Sequence, residues 1–165
     1  MVFRHTVLWT GWIWVLTMLC PGHLHARTRQ IYSMNPDWQV LVGDVKEAHV
    51  PDFDDSQWKR VSLPYAWNED DAFRLDIREL PTGIVWYRKT FTLPQGSEDK
   101  KVFLEFEGVR QAAEVYLNGY FIGRHENGVM AFGFDVTQLA KPAPAENVLA
   151  VRTDNDWNYR GKATD

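Results

Sequence analysis

The chain has 165 residues, a formal net charge of −4, 24% charged residues and 45% hydrophobic ones, enough for one domain with a real core. No basic patch interleaves with aromatics, which argues against a nucleic-acid partner. The single cysteine, Cys20, lies in an apolar N-terminal stretch, so the body has no disulfide and its stability must come from packing.

Arg4 and His5 open the chain, and Thr6 to Cys20 is then uncharged and mostly apolar. Fifteen residues is short for a membrane span, which needs about twenty, but it fits the apolar region of a secretory signal. Leu24-His25-Ala26 offers a small residue at a cleavage position, so residues 1–26 are expected to be a signal peptide and 27–165 the exported body, periplasmic or secreted, with no membrane span left after cleavage. Cys20 leaves a lipid anchor open as the alternative.

The body reads as short strands. Trp38–Val42 and Arg60–Ser62 are strand candidates. Between them Phe53-Asp54-Asp55-Ser56-Gln57-Trp58 is expected to form one helical turn, capped by Asp and Ser oxygens and buried through Phe53 and Trp58. Leu63-Pro64 stops any helix. Residues 65–81, YAWNEDDAFRLDIRELP, read as a polar loop, and a loop that long in a compact domain is usually functional. Gly83–Leu93 alternates as a strand, and 94–100 turns. Val102, Leu104 and Phe106 alternate with Phe103, Glu105 and Glu107. Val115 and Leu117 lead into Asn118-Gly119, the strongest two-residue hairpin signal, because a type I′ turn needs positive φ at both central positions. Tyr120 begins the return strand, Phe132–Val136 is a further short strand, 141–146 is a Pro-rich turn, and Asn147–Thr153 is the last clear strand. Strands at this spacing, with no long amphipathic helix and no repeat, make the fold class all-β: an antiparallel β-sandwich or jelly roll.

Seven motifs stand in one order from Phe53 to Asn155: FDDSQW, LPYAW, GIVWYRKTF, FEGV with AEVYLNG, GRH, FDVT, and NVLAVRTDN. Together they resemble the N-terminal sugar-binding domain of family 2 glycoside hydrolases, the β-galactosidase, β-glucuronidase and β-mannosidase group, with the β-galactosidase-like members nearest. Tyr65 stands where many members have His. Glu126-Asn127-Gly128-Val129-Met130 replaces the usual Gly-Gly-aromatic run.

The resemblance implies that the catalytic glutamates of a retaining mechanism lie on a separate barrel downstream, so no residue of this chain is expected to be catalytic. It implies that loop 65–81 completes the subsite for the terminal sugar. Trp67 would stack on the ring, and Asn68, Glu69 and Asp70 would bond hydroxyls. Asp154 and Asn155 would approach the same place. Each has a plainer account: Trp67 as core, the acids as a solvated face or a cation contact, Asp154-Asn155 as turn chemistry at a strand end. His125 reads as a hydrogen-bonded strand residue, and neither a metal nor a cofactor is expected. The expected partners are a carbohydrate and the barrel of the parent enzyme. The rival functions are a free-standing carbohydrate-binding module and a purely structural packing domain. Residues 157–165 look like the start of a loop, so the sandwich is expected to be incomplete at its C-terminus, with an unpaired edge or an open groove there.

Overall fold

The computed structural model describes residues 29–76 and 79–156. The expected signal peptide over 1–26, Cys20 within it, and the loop expected over 157–165 lie outside the described residues. The chain divides into two units after Tyr32, and every described strand belongs to the one from Ser33.

Nearly all its regular structure is strand: β1 (Trp38–Val42), β2 (Lys59–Val61), β3 (Ile84–Thr92), β4 (Phe103–Phe106), β5 (Ala112–Leu117), β6 (Tyr120–His125), β7 (Phe132–Asp135) and β8 (Glu146–Asp154), with one short helix, α1 (Glu69–Ala72). All pairings are antiparallel. One sheet runs β2-β1-β3-β8-β5-β6, and β4 with β7 forms a second. This is the antiparallel β-sandwich that the strand spacing led us to expect. Among the described residues the second layer has only two strands, each with a single partner.

Two cores follow from the period of two along each strand. Trp38, Val40, Val85, Ala113, Val115, Leu117, Leu149 and Val151 fill the space between the sheets, and Leu104, Phe106, Phe132 and Phe134 meet them from β4 and β7. Phe106 and Phe132, directly opposite in register, stack with centroids 4.8 Å apart. Met34, Leu63, Tyr65 and Trp67 pack onto this core from loops.

The other face of the large sheet carries Trp86, Ala150, Leu41 and Tyr116 and is covered by residues 44–58, through Ala48, Phe53 and Trp58. Arg88 pins this cover. It is 2% exposed, donates from Nε to Asp55 Oδ2 at 2.8 Å and from its terminal nitrogens to the carbonyls of Ala48, Val50, Pro51 and Phe53. A buried charge is tolerated only when paired and fully bonded in this way. Beside it, Arg152 donates from Nε and Nη2 to the two Asp44 oxygens at 3.0 and 2.9 Å. That fork holds the Asp44 carboxyl below its usual range, and the indole N–H of Trp86, donating to it at 3.3 Å, adds to the effect.

The Asn118-Gly119 hairpin forms with φ of +52° and +86°. Asn118 is more than a turn residue: its Oδ1 accepts from Val148 N at 2.9 Å, and its Nδ2 donates to Leu139 O and to Asn147 Oδ1, both at 2.9 Å.

Three expectations change. Residues 53–58 form a hydrogen-bonded turn rather than a helical one. Ser56 N donates to Asp54 Oδ1 and Trp58 N to Asp55 O, both at 3.0 Å, so the Asp side chain competes successfully with the helical bond. Loop 65–81 contains the one-turn helix α1, closed by Ala72 N donating to Asn68 O at 3.1 Å. The second strand is Lys59–Val61, one residue earlier than expected.

Candidate functional site

Register places four strand ends side by side. Ile84 opens β3 opposite Asp154, Asp154 closes β8 opposite Ala112, and Ala113 near the start of β5 faces His125 at the end of β6. The loops leaving this end therefore include 66–83, the segment after 154, and those before β5 and after β6.

Trp67 is half-buried and packs against the inter-sheet core. Its neighbour Tyr65 accepts a hydrogen bond from Lys59 Nζ at 2.9 Å and lies under the same ammonium, 4.9 Å from ring to charge. That bond raises the Lys59 pKa, with the Asp70 charge a smaller contributor.

Asn68 occupies the N-cap position of α1 but does not cap it. Its Nδ2 reaches forward to Pro81 O at 3.1 Å and ties the loop to the chain entering β3. Glu69 and Asp70 are exposed and stand with Asp71 in the first turn of α1, the end where carboxylates are favoured.

Asp154 is half-buried, and its Oδ1 accepts from Asp156 N at 3.0 Å, an Asx turn at the end of β8. Asn155 extends the pairing by one residue. Its Oδ1 accepts from Gly83 N at 2.6 Å while its own N donates to Gly83 O at 3.3 Å. Thr82 Oγ1 donates to Asp156 Oδ1 at 3.1 Å. Segment 81–83 thus bridges Asn68 on one side and Asn155 on the other. The six residues singled out from sequence lie at one end of the sandwich, with both asparagine side chains engaged in scaffold bonds.

Thr82 and Asp156, which help lock this end, were not anticipated; a hydroxyl and a carboxylate 74 residues apart carry no local signal. His125 stacks on Phe132 with centroids 4.1 Å apart, and its Nε2 is buried without a partner. Among the described residues no three His, Cys, Asp or Glu side chains converge as a metal site requires, and no helix is long and apolar enough to cross a membrane.

The galactose-binding-like domain model of glycosyl hydrolase family 2 matches residues 59–165. The chain belongs to glycoside hydrolase family 2. A β-glucuronidase of Formosa agariphila is 39% identical over 135 residues, covering 78% of this chain and 14% of that protein. A β-galactosidase of Thermoanaerobacter pseudethanolicus is 38% identical over 127 residues, covering 77% of this chain and 17% of its own length. Among solved structures, a Bacteroides uniformis β-glucuronidase superposes with a TM-score of 0.72 at 35% identity, covering 78% of this chain and 15% of that one. The chain therefore spans about a seventh to a sixth of the length of these family 2 relatives. Both named activities occur among them, so the likeness does not single out one sugar.

Proposed function

We propose that this family 2 domain serves as the accessory sugar-contacting part of an exported glycoside hydrolase, with the two catalytic carboxylates supplied by a barrel outside these 165 residues. One observation carries the reading. Asn68, residues 81–83 and residues 155–156 are tied together by hydrogen bonds at a single end of the sandwich, in a chain that matches only about a seventh to a sixth of each hydrolase relative. At that end Glu69 and Asp70 are exposed and offer acceptors to sugar hydroxyls. Trp67 is half-buried against the core, and its exposed part is the surface we assign to the C–H face of the sugar. The scaffold bonds of Asn68 and Asn155 hold the loop in place, the preorganisation that binding requires. The apolar stretch within residues 1–26 supports the reading of export.

Retaining hydrolysis needs two carboxyl groups about 5–5.5 Å apart flanking the scissile bond. The acids of α1 sit next to one another on a surface turn and are read as contacts with substrate, not as that pair. The test is kinetic. In the parent enzyme, Asp70→Ala raises KM for a chromogenic glycoside about threefold to tenfold with kcat nearly constant, as loss of binding common to ground and transition states requires. Hydrolysis of a chromogenic galactoside or glucuronide by the 165-residue chain alone would overturn the accessory role.

A further inference from the structure

Single exposed apolar side chains are ordinary, but a gathering of them marks a docking surface. Among the described residues from Ser33 onward nine large apolar side chains are exposed, and five of them, Val42, Phe73, Leu75, Val129 and Met130, lie at one end of the sandwich. Register puts them there. Val42 closes β1 opposite Val85, Phe73 and Leu75 belong to the loop that enters β3, and Val129 and Met130 follow His125, which pairs with Ala113. The strands β1, β3, β8, β5 and β6 are consecutive in the sheet, so about 19 Å separates the first from the last.

Phe73 is 84% exposed and Val129 88%. Neither hangs on a loose segment. Arg74 N and Leu75 N both donate to Asp71 O at 2.9 Å, and Asn68 Nδ2 ties the same loop to Pro81 O. Asn127 Oδ1 accepts from Val129 N at 3.0 Å. An apolar side chain on a fixed loop loses little further entropy when a partner covers it.

Charge narrows the partner. Loop 66–83 holds five acids against two arginines, so a second copy of this face would set acid against acid. Four of the five apolar side chains are aliphatic and lack the ring faces on which sugars stack. A protein surface with apolar sockets and an excess of Lys and Arg satisfies both conditions. Asp156 is fastened at this same end by Thr82 Oγ1 at 3.1 Å, and this chain covers 14% and 17% of two relatives that it matches.

We infer that this end of the sandwich is the face on which the rest of the parent hydrolase docks, with Phe73 and Val129 as anchors and the acidic loop 66–83 set against basic side chains. The inference rests on the reading of the chain as part of a larger hydrolase given above. It puts the proposed sugar contacts at a seam between two bodies, where ligand sites commonly lie.

Hydrogen exchange on the 165-residue chain and on the parent enzyme, under the same conditions, tests it. The amides of Arg74, Leu75 and Val129 are expected to exchange about tenfold or more slowly in the parent than in the chain alone. Phe73→Ser and Val129→Ser should leave the urea midpoint of the chain alone unchanged, because both side chains already stand in water, and should lower the melting temperature of the parent. Equal exchange in the two proteins, or a parent melting temperature that neither variant lowers, would overturn the docking face; a raised KM for Asp70→Ala would then still support the sugar contact. Sedimentation of the chain as a dimer that Phe73→Ser dissolves would give the face to a second copy. Slowing of the Val129 amide in the chain alone by methyl β-galactoside or methyl β-glucuronide would give it to a sugar. Either result would overturn the inference.

Discussion

Arg88→Met is the substitution whose consequence the structure fixes most closely. Met fills the aliphatic volume of Arg and removes the guanidinium. What remains is the Asp55 carboxylate without its 2.8 Å partner and the carbonyl of the fully buried Ala48 without its donor, while Val50 O keeps its bond from Phe53 N at 3.2 Å. The bonds to Pro51 and Phe53, both 3.4 Å, are long and count for little. A buried acceptor left unmet costs about 1–3 kcal/mol, and breaking a buried pair by removing one partner costs about 3–5 kcal/mol. The Asp55 side chain is 29% exposed and can take up some water, which places the expected loss near the lower end, about 3 kcal/mol. Against a typical total of about 5–15 kcal/mol, this is a large fraction. Urea denaturation should show a lower midpoint at unchanged slope. Native-state hydrogen exchange should localise the damage, with the amides of Val50 and Trp58, held by Glu47 O and Asp55 O, losing protection before those of β3 and β8. A loss below about 1 kcal/mol, or unchanged protection across 44–58, would refute the idea that one guanidinium fastens this segment to the sheet.

Asn118→Gly keeps the positive φ of the hairpin but deletes three side-chain bonds, so a loss of about 1–2 kcal/mol in urea unfolding is expected; Asn118→Ala adds backbone strain and should cost more. Burial pushes the Tyr87 hydroxyl up to about 12, with the nearby Tyr65 adding to it. Above about pH 10 the unfolded chain has released this proton while the folded chain keeps it, so ΔG of unfolding falls with pH. The contribution is complete below pH 10 and is lost by about pH 12, at most 2–3 kcal/mol, and Tyr87→Phe should flatten that limb of a stability–pH curve. Asp44→Asn removes a group whose carboxyl is lowered chiefly by Arg152. The acid limb of the same curve, where stability falls as pH drops through that lowered value, should shrink. Asn155→Ala should lower the melting temperature and, in the parent enzyme, change KM and kcat together. It loosens the scaffold at Gly83 rather than deleting a sugar contact, unlike Asp70→Ala.

The strands were legible because their determinants are local. Alternation across Gly83–Leu93 and Asn147–Thr153 gave β3 and β8 to within a residue at each end, and Asn118-Gly119 gave the hairpin with its turn type. The pairing of β3 with β8, nine rungs long at the middle of the sheet, is a contact between segments about sixty residues apart and left no mark in either alone. The missed helix α1 has the same cause in reverse. Glu69-Asp70-Asp71 read as loop because nothing apolar recurs there, yet a single turn needs only one closing bond and favourable charge at its N-terminus.

The candidate site was legible as a set of residues and not as an arrangement. Asn68 was singled out as a group that bonds hydroxyls and Asn155 as one that approaches the same place, and the structure gives their side chains protein partners at Pro81 and Gly83. An amide has one oxygen and two N–H donors, and in each asparagine one of these groups is already committed to the scaffold. This divides the labour at the site. The asparagines position the loop, the carboxylates of α1 are exposed, and Trp67 is half-buried against the core; on the proposed function the carboxylates contact the ligand and Trp67 both packs the core and meets the sugar. A residue placed so should lose stability and sugar affinity together. Trp67→Phe, which keeps the packing edge and shortens the outer one, should separate them: the midpoint in urea nearly retained, and KM raised in the parent enzyme. Equal losses in both would assign Trp67 to the core alone.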